Sequence, residues 1–291
     1  MRQQLQVLLD ALPEGMHEQV LEDFELLLIK GRWGELALAR QGAQVLHYRA
    51  AGAAPLLWLS DCLKAPPAAI RGGVPLCWPW FGDHPSQASQ PAHGVARTAR
   101  WDWSLDENGA DGVTLRALPA AALWPGLEAQ VTVRVHEGAI DIVLDSRNVA
   151  QETVELTQAL HTYLAVGWVG EIEVRGLRGC EYLDKLQGGA GMRQDGELRI
   201  ASALDRIYRH EGVIEVRDPV LQRCLRVVKS GSASTVVWNP GDGALSMVDV
   251  GMEQQPHFIC VEAANTVLDP VRLAPGERSR LATRLSATAL S

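Results

Sequence analysis

Two side chains that can exchange protons stand in strand-like apolar segments of this chain. In Ala159–Val166, the alternation of a strand puts His161 and Tyr163 on one face. Glu262 is the lone charged residue of the apolar segment Phe258–Ala264. Because a buried carboxylate without a partner is costly, Glu262 is expected to be paired or to face a pocket where a raised pKa is useful. Together the two would form a minimal acid–base pair, although structural roles for both remain open on pattern alone.

A second candidate region runs from Arg71 to Trp103 and combines rings, cations and turn residues. It lacks the alternation of a strand and the spacing of an amphipathic helix, which is typical of a ligand-binding surface loop. Guanidinium groups suit a carboxylate or phosphate, and tryptophan faces suit the apolar face of a sugar. Alternatively, the rings and prolines only close the end of a β-structure. The region contains Arg71, Trp78, Trp80, His84, His93, Arg97, Arg100, Trp101 and Trp103.

Composition narrows the class of protein. The chain has 291 residues, 47% of them hydrophobic and 21% charged, and a formal net charge of −8. This balance argues against non-specific binding of nucleic acid or an anionic membrane surface, and no stretch approaches the roughly 20 apolar residues of a membrane span. Five scattered cysteines without a CxxC pair favour reduced thiols, and the N-terminus does not read as a signal peptide. We expect a cytoplasmic protein without a nucleic-acid or membrane partner.

The spacing of apolar residues predicts the elements that must position these side chains. Leucines at helical spacing before Pro13 predict a short helix, and we assign residues 1–22 to an N-terminal helical extension. From there the period changes to two, and Gly, Asp, Asn and Pro separate well over ten short strands, including a hairpin at Glu137–Gly138. No helices alternate with the strands, which excludes a doubly wound α/β sheet. We predict an all-β fold, with one large antiparallel β-sandwich over residues 23–291.

Several phrases carry a resemblance to a known family. The phrase IRGGVPLCWPWFG at 70–82, followed by PAHGVAR at 91–97, resembles the hallmark of hexose-6-phosphate mutarotases (glucose-6-phosphate 1-epimerases) of the aldose 1-epimerase superfamily. Later phrases agree in the same order: HTY at 161–163, GLRG at 176–179, DRIY at 205–208, VVWNP at 236–240 and VEA at 261–263. The similarity spans about residues 23–285.

The resemblance implies a galactose-mutarotase-like β-sandwich with its active site on the concave face. It implies interconversion of the α and β anomers of a hexose 6-phosphate, without cofactor. Separately, we expect a monomer that acts on a small sugar phosphate and holds no metal. His161 would protonate the ring oxygen, and Glu262 would take the proton from the C1 hydroxyl. The implied substrate-binding residues are Arg71 and Arg97 for the phosphate, His93 and Asp205 for sugar hydroxyls, and Trp78 and Trp80 as the pocket wall.

Departures from the family pattern leave the identity of the hexose open. The chain differs from the usual family residues at 166–170, 203–204 and 241–243, none of which removes a residue assigned above. Two alternatives also stay open: a mutarotase of unphosphorylated aldoses, and a non-catalytic sugar-phosphate-binding regulator. A metal site at Asp83, His84 and His93 is disfavoured because their spacing matches no standard ligand pattern.

Overall fold

The computed structural model describes residues 1–136, 138–251 and 253–290, which form one α-helix and 22 β-strands. Helix α1 spans Arg2–Ala11. The strands are β1 (Gly15–Leu21), β2 (Phe24–Gly31), β3 (Gly34–Ala39), β4 (Val45–Ala50), β5 (Leu76–Cys77), β6 (Trp101–Gly109), β7 (Gly112–Pro119), β8 (Leu127–His136), β9 (Ala139–Asn148), β10 (Val154–Leu156), β11 (Gln158–Leu160), β12 (Tyr163–Ala165), β13 (Glu173–Arg175), β14 (Glu181–Asp184), β15 (Ala190–Arg193), β16 (Leu204–Arg209), β17 (Ile214–Asp218), β18 (Arg223–Ser230), β19 (Ser234–Asn239), β20 (Phe258–Asn265), β21 (Val271–Leu273) and β22 (Arg278–Ala289). The predicted all-β fold is confirmed.

Two eight-stranded antiparallel sheets make the sandwich. The first has the order β15-β14-β16-β19-β20-β11-β5, with β12 also paired to β20, and the second has the order β13-β17-β18-β22-β9-β8-β7-β6. In β8, alternate residues such as Val131, Val133 and Val135 are buried in the shared core because successive side chains of a strand point to opposite faces. The same core includes Val261 of β20, so it joins the two sheets.

Strand β20 lies inside the first sheet and has two buried faces. Ile259, Val261 and Ala263 point into the core shared by the sheets. The intervening residues Phe258, Cys260, Glu262 and Ala264 point to the opposite face, which we call the site face. Because β20 pairs with β19 on one side and with β11 and β12 on the other, side chains from all these strands surround Glu262.

The N-terminal segment is only partly helical. Helix α1 buries Leu5 and Leu9 against side chains of the four-stranded sheet β1-β2-β3-β4, including Phe24 and Leu28. Residues Gly15–Leu21, which we had placed in the helical extension, instead form the edge strand β1, antiparallel to β2. Their exposure alternates residue by residue, and this period of two is the pattern of a half-buried strand.

Two further predictions concern the hairpin between β8 and β9 and the lack of a membrane-spanning segment. Strands β8 and β9 pair antiparallel up to His136 and Ala139, while Glu137 of the predicted hairpin turn lies outside the described residues. Among the helices of the described residues, none is long and apolar enough to cross a membrane.

Candidate active site

The predicted acid–base pair comes together on the site face. His161 lies in the two-residue step between β11 and β12, both of which pair with β20. Its Nε2 is 3.4 Å from Oε1 of Glu262. Glu262 is 1% exposed and His161 is 8% exposed, so the pair is almost removed from water. The backbone N–H of His161 donates to the carbonyl of Pro75 (3.0 Å), the residue before β5. This bond holds the segment between β11 and β12 against the loop region.

The surroundings favour the neutral form of both groups. Burial raises the pKa of Glu262 well above its usual range, and the nearby charge of Asp205 raises it further. Burial lowers the pKa of His161 well below its usual value, with further contributions from His93 and the cations of the loop region. Among the described residues, neither oxygen of Glu262 nor Nδ1 of His161 has a hydrogen-bond partner. Burying polar atoms without partners is costly. Such atoms are typical of a site in which a ligand supplies the missing hydrogen bonds.

Arg71 lies next to the acid–base pair and forms hydrogen bonds with Asp249 and Tyr163. Its Nε and Nη2 both donate to Oδ2 of Asp249, at 3.2 Å and 3.0 Å, and its Nη1 donates to the hydroxyl of Tyr163 at 3.1 Å. The Tyr163 ring stacks on His161 with centroids 4.9 Å apart and 15° between the planes, so the predicted common face of these two residues is confirmed. Asp249 was not among the predicted site residues, although it is the lone charge in Met247–Val250, the same signal that indicated Glu262.

His93, which was predicted to contact a sugar hydroxyl, lies beside the acid–base pair. Its ring meets that of His161 edge-on at 5.8 Å between centroids. The residue has a left-handed backbone (φ 66°), and its N–H donates to the carbonyl of Gly82 (2.6 Å). Burial and the charges of Arg97, Lys185 and Arg71 lower the pKa of His93 to about 3. Three cations therefore lie within electrostatic reach of one ring.

Asp205 and Lys185 form an ion pair near His93 and Glu262. Oδ2 of Asp205, on β16, is 3.5 Å from Nζ of Lys185, and burial raises the pKa of this carboxyl. The Lys185 ammonium lies 5.9 Å from the centroid of the Phe81 ring. Asp205 was among the predicted site residues, but Lys185 was not, because it lies in a short 3₁₀ turn after β14 where no periodicity applies.

The two tryptophans predicted as the pocket wall have other places. Trp78 is 0% exposed in the core between the sheets, and its Nε1 donates to Oγ of Ser146 on the second sheet (3.0 Å). In β5 it is Cys77 that faces the site, so the strand alternation turns Trp78 inward and its predicted role is wrong. The ring of Trp80 contacts His84 and Trp124, which makes it part of the loop packing.

Other rings surround the acid–base pair. Besides Tyr163 and His93, Trp238 of β19 contacts His161 edge-on at 6.0 Å between centroids. Trp238 pairs in register with Asp205 on the neighbouring strand, so both side chains reach the same part of the site face. No cluster of three or more metal-ligating side chains occurs among the residues that the structure describes.

In this antiparallel sandwich, Glu262 of the inner strand β20 and His161 of the neighbouring step between β11 and β12 form a buried carboxyl–imidazole pair. The family model of aldose 1-epimerase matches residues 25–286. A protein of Escherichia coli named "Putative glucose-6-phosphate 1-epimerase" is 32% identical over 256 residues, which cover 84% of each chain. The chain therefore belongs to the aldose 1-epimerase family, as the sequence phrases predicted, and is an epimerase of the mutarotase type.

Solved structures agree with this assignment. The crystal structure of a "putative mutarotase" from Salmonella typhimurium is similar with a TM-score of 0.88 and 28% identity, and the match covers 98% of this chain and 99% of that one. A galactose mutarotase-like protein from Clostridium acetobutylicum has a TM-score of 0.74 at 10% identity, covering 95% of this chain and 99% of that one. The second likeness concerns the fold alone, and it confirms the predicted galactose-mutarotase-like sandwich.

Proposed function

We propose that this protein interconverts the α and β anomers of a hexose 6-phosphate, with glucose 6-phosphate as the first candidate. The observation that carries the proposal is a buried acid–base pair with unpaired polar atoms, His161 and Glu262, beside the three cations Arg71, Arg97 and Lys185. The pair suits proton transfer at the anomeric centre, and the cations suit the phosphate. The proposal includes a small sugar phosphate as the partner and a monomer as the acting unit.

In the proposed reaction, Glu262 takes the proton from the C1 hydroxyl while His161 donates one to the ring oxygen. The ring opens, the C1–C2 bond rotates, and reversed transfers close the ring on the other face. A neutral carboxyl with a neutral imidazole holds the same single proton as a carboxylate with an imidazolium. Transfer across the 3.4 Å between Oε1 and Nε2 therefore reaches the reactive form without changing the charge of the site. A positioned pair of this kind accelerates proton transfer on the order of 10²–10⁴-fold.

The cations favour a phosphorylated sugar over a free aldose. Arg97 and Lys185 add positive charge beside His93, which a neutral sugar would not need. A charge-assisted hydrogen bond to a phosphate contributes more than one to a hydroxyl. The name of the Escherichia coli relative points to the same substrate class. His93 and Asp205 would then bind sugar hydroxyls, and Trp238 would cover an apolar part of the ring.

Anomer exchange followed by NMR tests the proposal, with glucose 6-phosphate and free glucose measured side by side. We expect clear acceleration for the phosphate ester and little for the free sugar. Arg97→Ala should raise KM for the ester by roughly 10- to 100-fold, the loss of one charge-assisted contact, and leave exchange of free glucose unchanged. Arg100→Ala is the matched control, because Arg100 belongs to the same loop region but pairs with Glu25.

Each other outcome assigns a different function. Equal acceleration of both sugars would establish a general aldose mutarotase and contradict the phosphate assignment. Binding of glucose 6-phosphate without acceleration would establish a sugar-phosphate-binding protein on the fold of an enzyme.

A further inference from the structure

A chain of side-chain contacts leads from the acid–base pair through the loop region to Lys185. The ring of His161, 3.4 Å from Glu262, meets that of His93 at 5.8 Å between centroids. His93 in turn contacts Phe81 edge-on at 5.1 Å between centroids. The Lys185 ammonium lies 5.9 Å from the centroid of the Phe81 ring. The loop region therefore reaches Lys185 without a break in contact.

The same chain of contacts returns to His161 along the first sheet. Nζ of Lys185 is 3.5 Å from Oδ2 of Asp205. Asp205 pairs in register with Trp238 on the neighbouring strand, and the Trp238 ring lies 6.0 Å from that of His161. The contacts thus close into a rim on the site face, and Lys185 is the member that joins the loop region to the sheet. The site rim consists of His161, His93, Phe81, Lys185, Asp205 and Trp238.

The backbone that carries Lys185 is anchored by Asp184. Oδ1 of Asp184 accepts from the backbone N–H of Leu186 (3.0 Å), and its carbonyl accepts from the N–H of Gly189 (2.8 Å). Oδ2 of the same buried carboxylate accepts from Nε of Arg206 on β16 (3.3 Å). The turn is therefore tied to the strand that carries Asp205, which keeps the ammonium and the carboxylate side by side.

Lys185 and Asp205 offer complementary groups to a ligand. An ammonium has three donors and no acceptor, whereas a carboxylate has only acceptors. With one N–H turned to Oδ2 of Asp205, two donors of Lys185 remain. Within the described part of the chain, no hydrogen bond reaches the other oxygen, Oδ1. Hydroxyl groups on neighbouring carbons can satisfy both side chains at once, because one hydroxyl donates to the carboxylate while the next accepts from the ammonium.

The strand order indicates which hydroxyls these are. His161 lies on the β11–β12 side of β20, while β19, β16 and β14 follow in this order on the other side. In the proposed reaction the ring oxygen is at His161 and the C1 hydroxyl is at Glu262, so C2 and then C3 extend away from His161. Neighbouring strands are about 4.8 Å apart, which puts β16 roughly 10 Å from β20. Asp205 on β16 is therefore nearer to C2, and Lys185 after β14 is nearer to C3.

We propose that Lys185 is a specificity-determining residue that donates a hydrogen bond to the C3 hydroxyl of the sugar, while Asp205 accepts one from the C2 hydroxyl. The inference rests on the proposed hexose 6-phosphate substrate. It replaces a general contribution of charge by a specific contact between Lys185 and the sugar. The substrates of this site are then hexose phosphates with free hydroxyls on both C2 and C3.

The variant Lys185→Met tests this contact, because methionine has a similar length and no charge. Affinities for glucose 6-phosphate, 2-deoxyglucose 6-phosphate and 3-deoxyglucose 6-phosphate are measured by calorimetry on the variant and the unmodified protein. The variant should bind the first two ligands roughly tenfold more weakly than the unmodified protein, the loss of one charge-assisted contact. Its affinity for the 3-deoxy ligand should stay within about twofold, because that ligand lacks the hydroxyl in question.

The ligand on which the loss depends decides between the roles of Lys185. An equal loss for all three ligands would overturn the proposal, since Lys185 would then act on the phosphate. A loss that disappears with the 2-deoxy ligand would also overturn it, because Lys185 would act only through Asp205. The unmodified protein gives an independent test if the variant folds poorly: it should bind the 3-deoxy ligand roughly tenfold more weakly than glucose 6-phosphate, and equal affinities would refute the contact.

Leu186→Ala is the matched control, because Leu186 is exposed in the same turn and should leave all three affinities unchanged. A loss there as large as in Lys185→Met would overturn the proposal, since it would come from the turn itself. Affinity is measured without turnover, so the two proposals fail separately. The expected affinities without anomer exchange would refute the proposed function and keep the contact. Exchange of glucose 6-phosphate with equal affinities for the three ligands would do the reverse.

Discussion

Replacing Glu262 by glutamine should remove activity and at the same time make the protein relatively more stable as the pH rises. The Glu262 carboxyl is 1% exposed, and neither of its oxygens has a hydrogen-bond partner among the described residues. Burial therefore raises its pKa well above the usual range. Glutamine has nearly the same size but no proton to lose, so the variant isolates the ionisation from the packing.

The sign of the effect follows from proton linkage. Between the unfolded pKa of Glu262, about 4.3, and its higher folded pKa, the folded protein holds a proton that the unfolded chain has lost. Its contribution to the free energy of unfolding therefore falls by about 1.4 kcal/mol for each pH unit across that window. As the pH rises through that window, Glu262→Gln should gain stability relative to the unmodified protein. Other groups titrate in both proteins and cancel in the difference.

Urea unfolding followed by tryptophan fluorescence at several pH values measures this difference. Anomer exchange by the variant should fall on the order of 10²–10⁴-fold, the value of one positioned proton-transfer group. A stability difference that does not change between pH 5 and pH 7 would refute the assignment of a raised pKa. Wild-type exchange rates would remove Glu262 from the mechanism.

A second buried carboxyl provides a control of opposite sign. Burial alone would raise the pKa of Glu35, but hydrogen bonds from His47 and Arg49 lower it to about 2. The stability contributed by this group is present above the unfolded pKa and is lost as the pH falls toward 2. Glu35→Gln should therefore be less stable than the unmodified protein at pH 7, and the difference should shrink in acid.

Three further substitutions separate the acid–base pair from the packing around it. His161→Asn should lower exchange on the order of 10²–10⁴-fold, and its pH–rate profile should lose one limb; a profile unchanged in shape would contradict the role of the imidazole. Trp78→Phe should cost about 2–4 kcal/mol in the free energy of unfolding through lost packing and a lost hydrogen bond, with kcat of the folded protein preserved. Trp238→Leu should raise KM for the sugar phosphate by roughly threefold to tenfold, and equal effects of the two tryptophan variants on KM would contradict the ring assignment.

Much of this protein follows from local patterns of its sequence. A period of two separates the faces of a strand, so His161 and Tyr163 could be placed together without the structure. Glu262 stood out as the lone charge in an apolar strand. Leucines at helical spacing predicted α1. The position of Trp78 was not predicted by this rule, because β5 has only two residues and is too short to show a period within the irregular loop region.

What only the tertiary structure decided is how distant segments meet. The pairing of β11 and β12 with β20 brings His161 to 3.4 Å from Glu262, and no local pattern specifies which strands pair. The same holds for the Arg71–Asp249 pair, whose residues are 178 positions apart. Chain entropy opposes each such closure, and the burial of both sheets in one core outweighs it. The sequence therefore predicts which chemical groups are present. Which groups pair, and which of them hold a proton, is determined by the packing of the core.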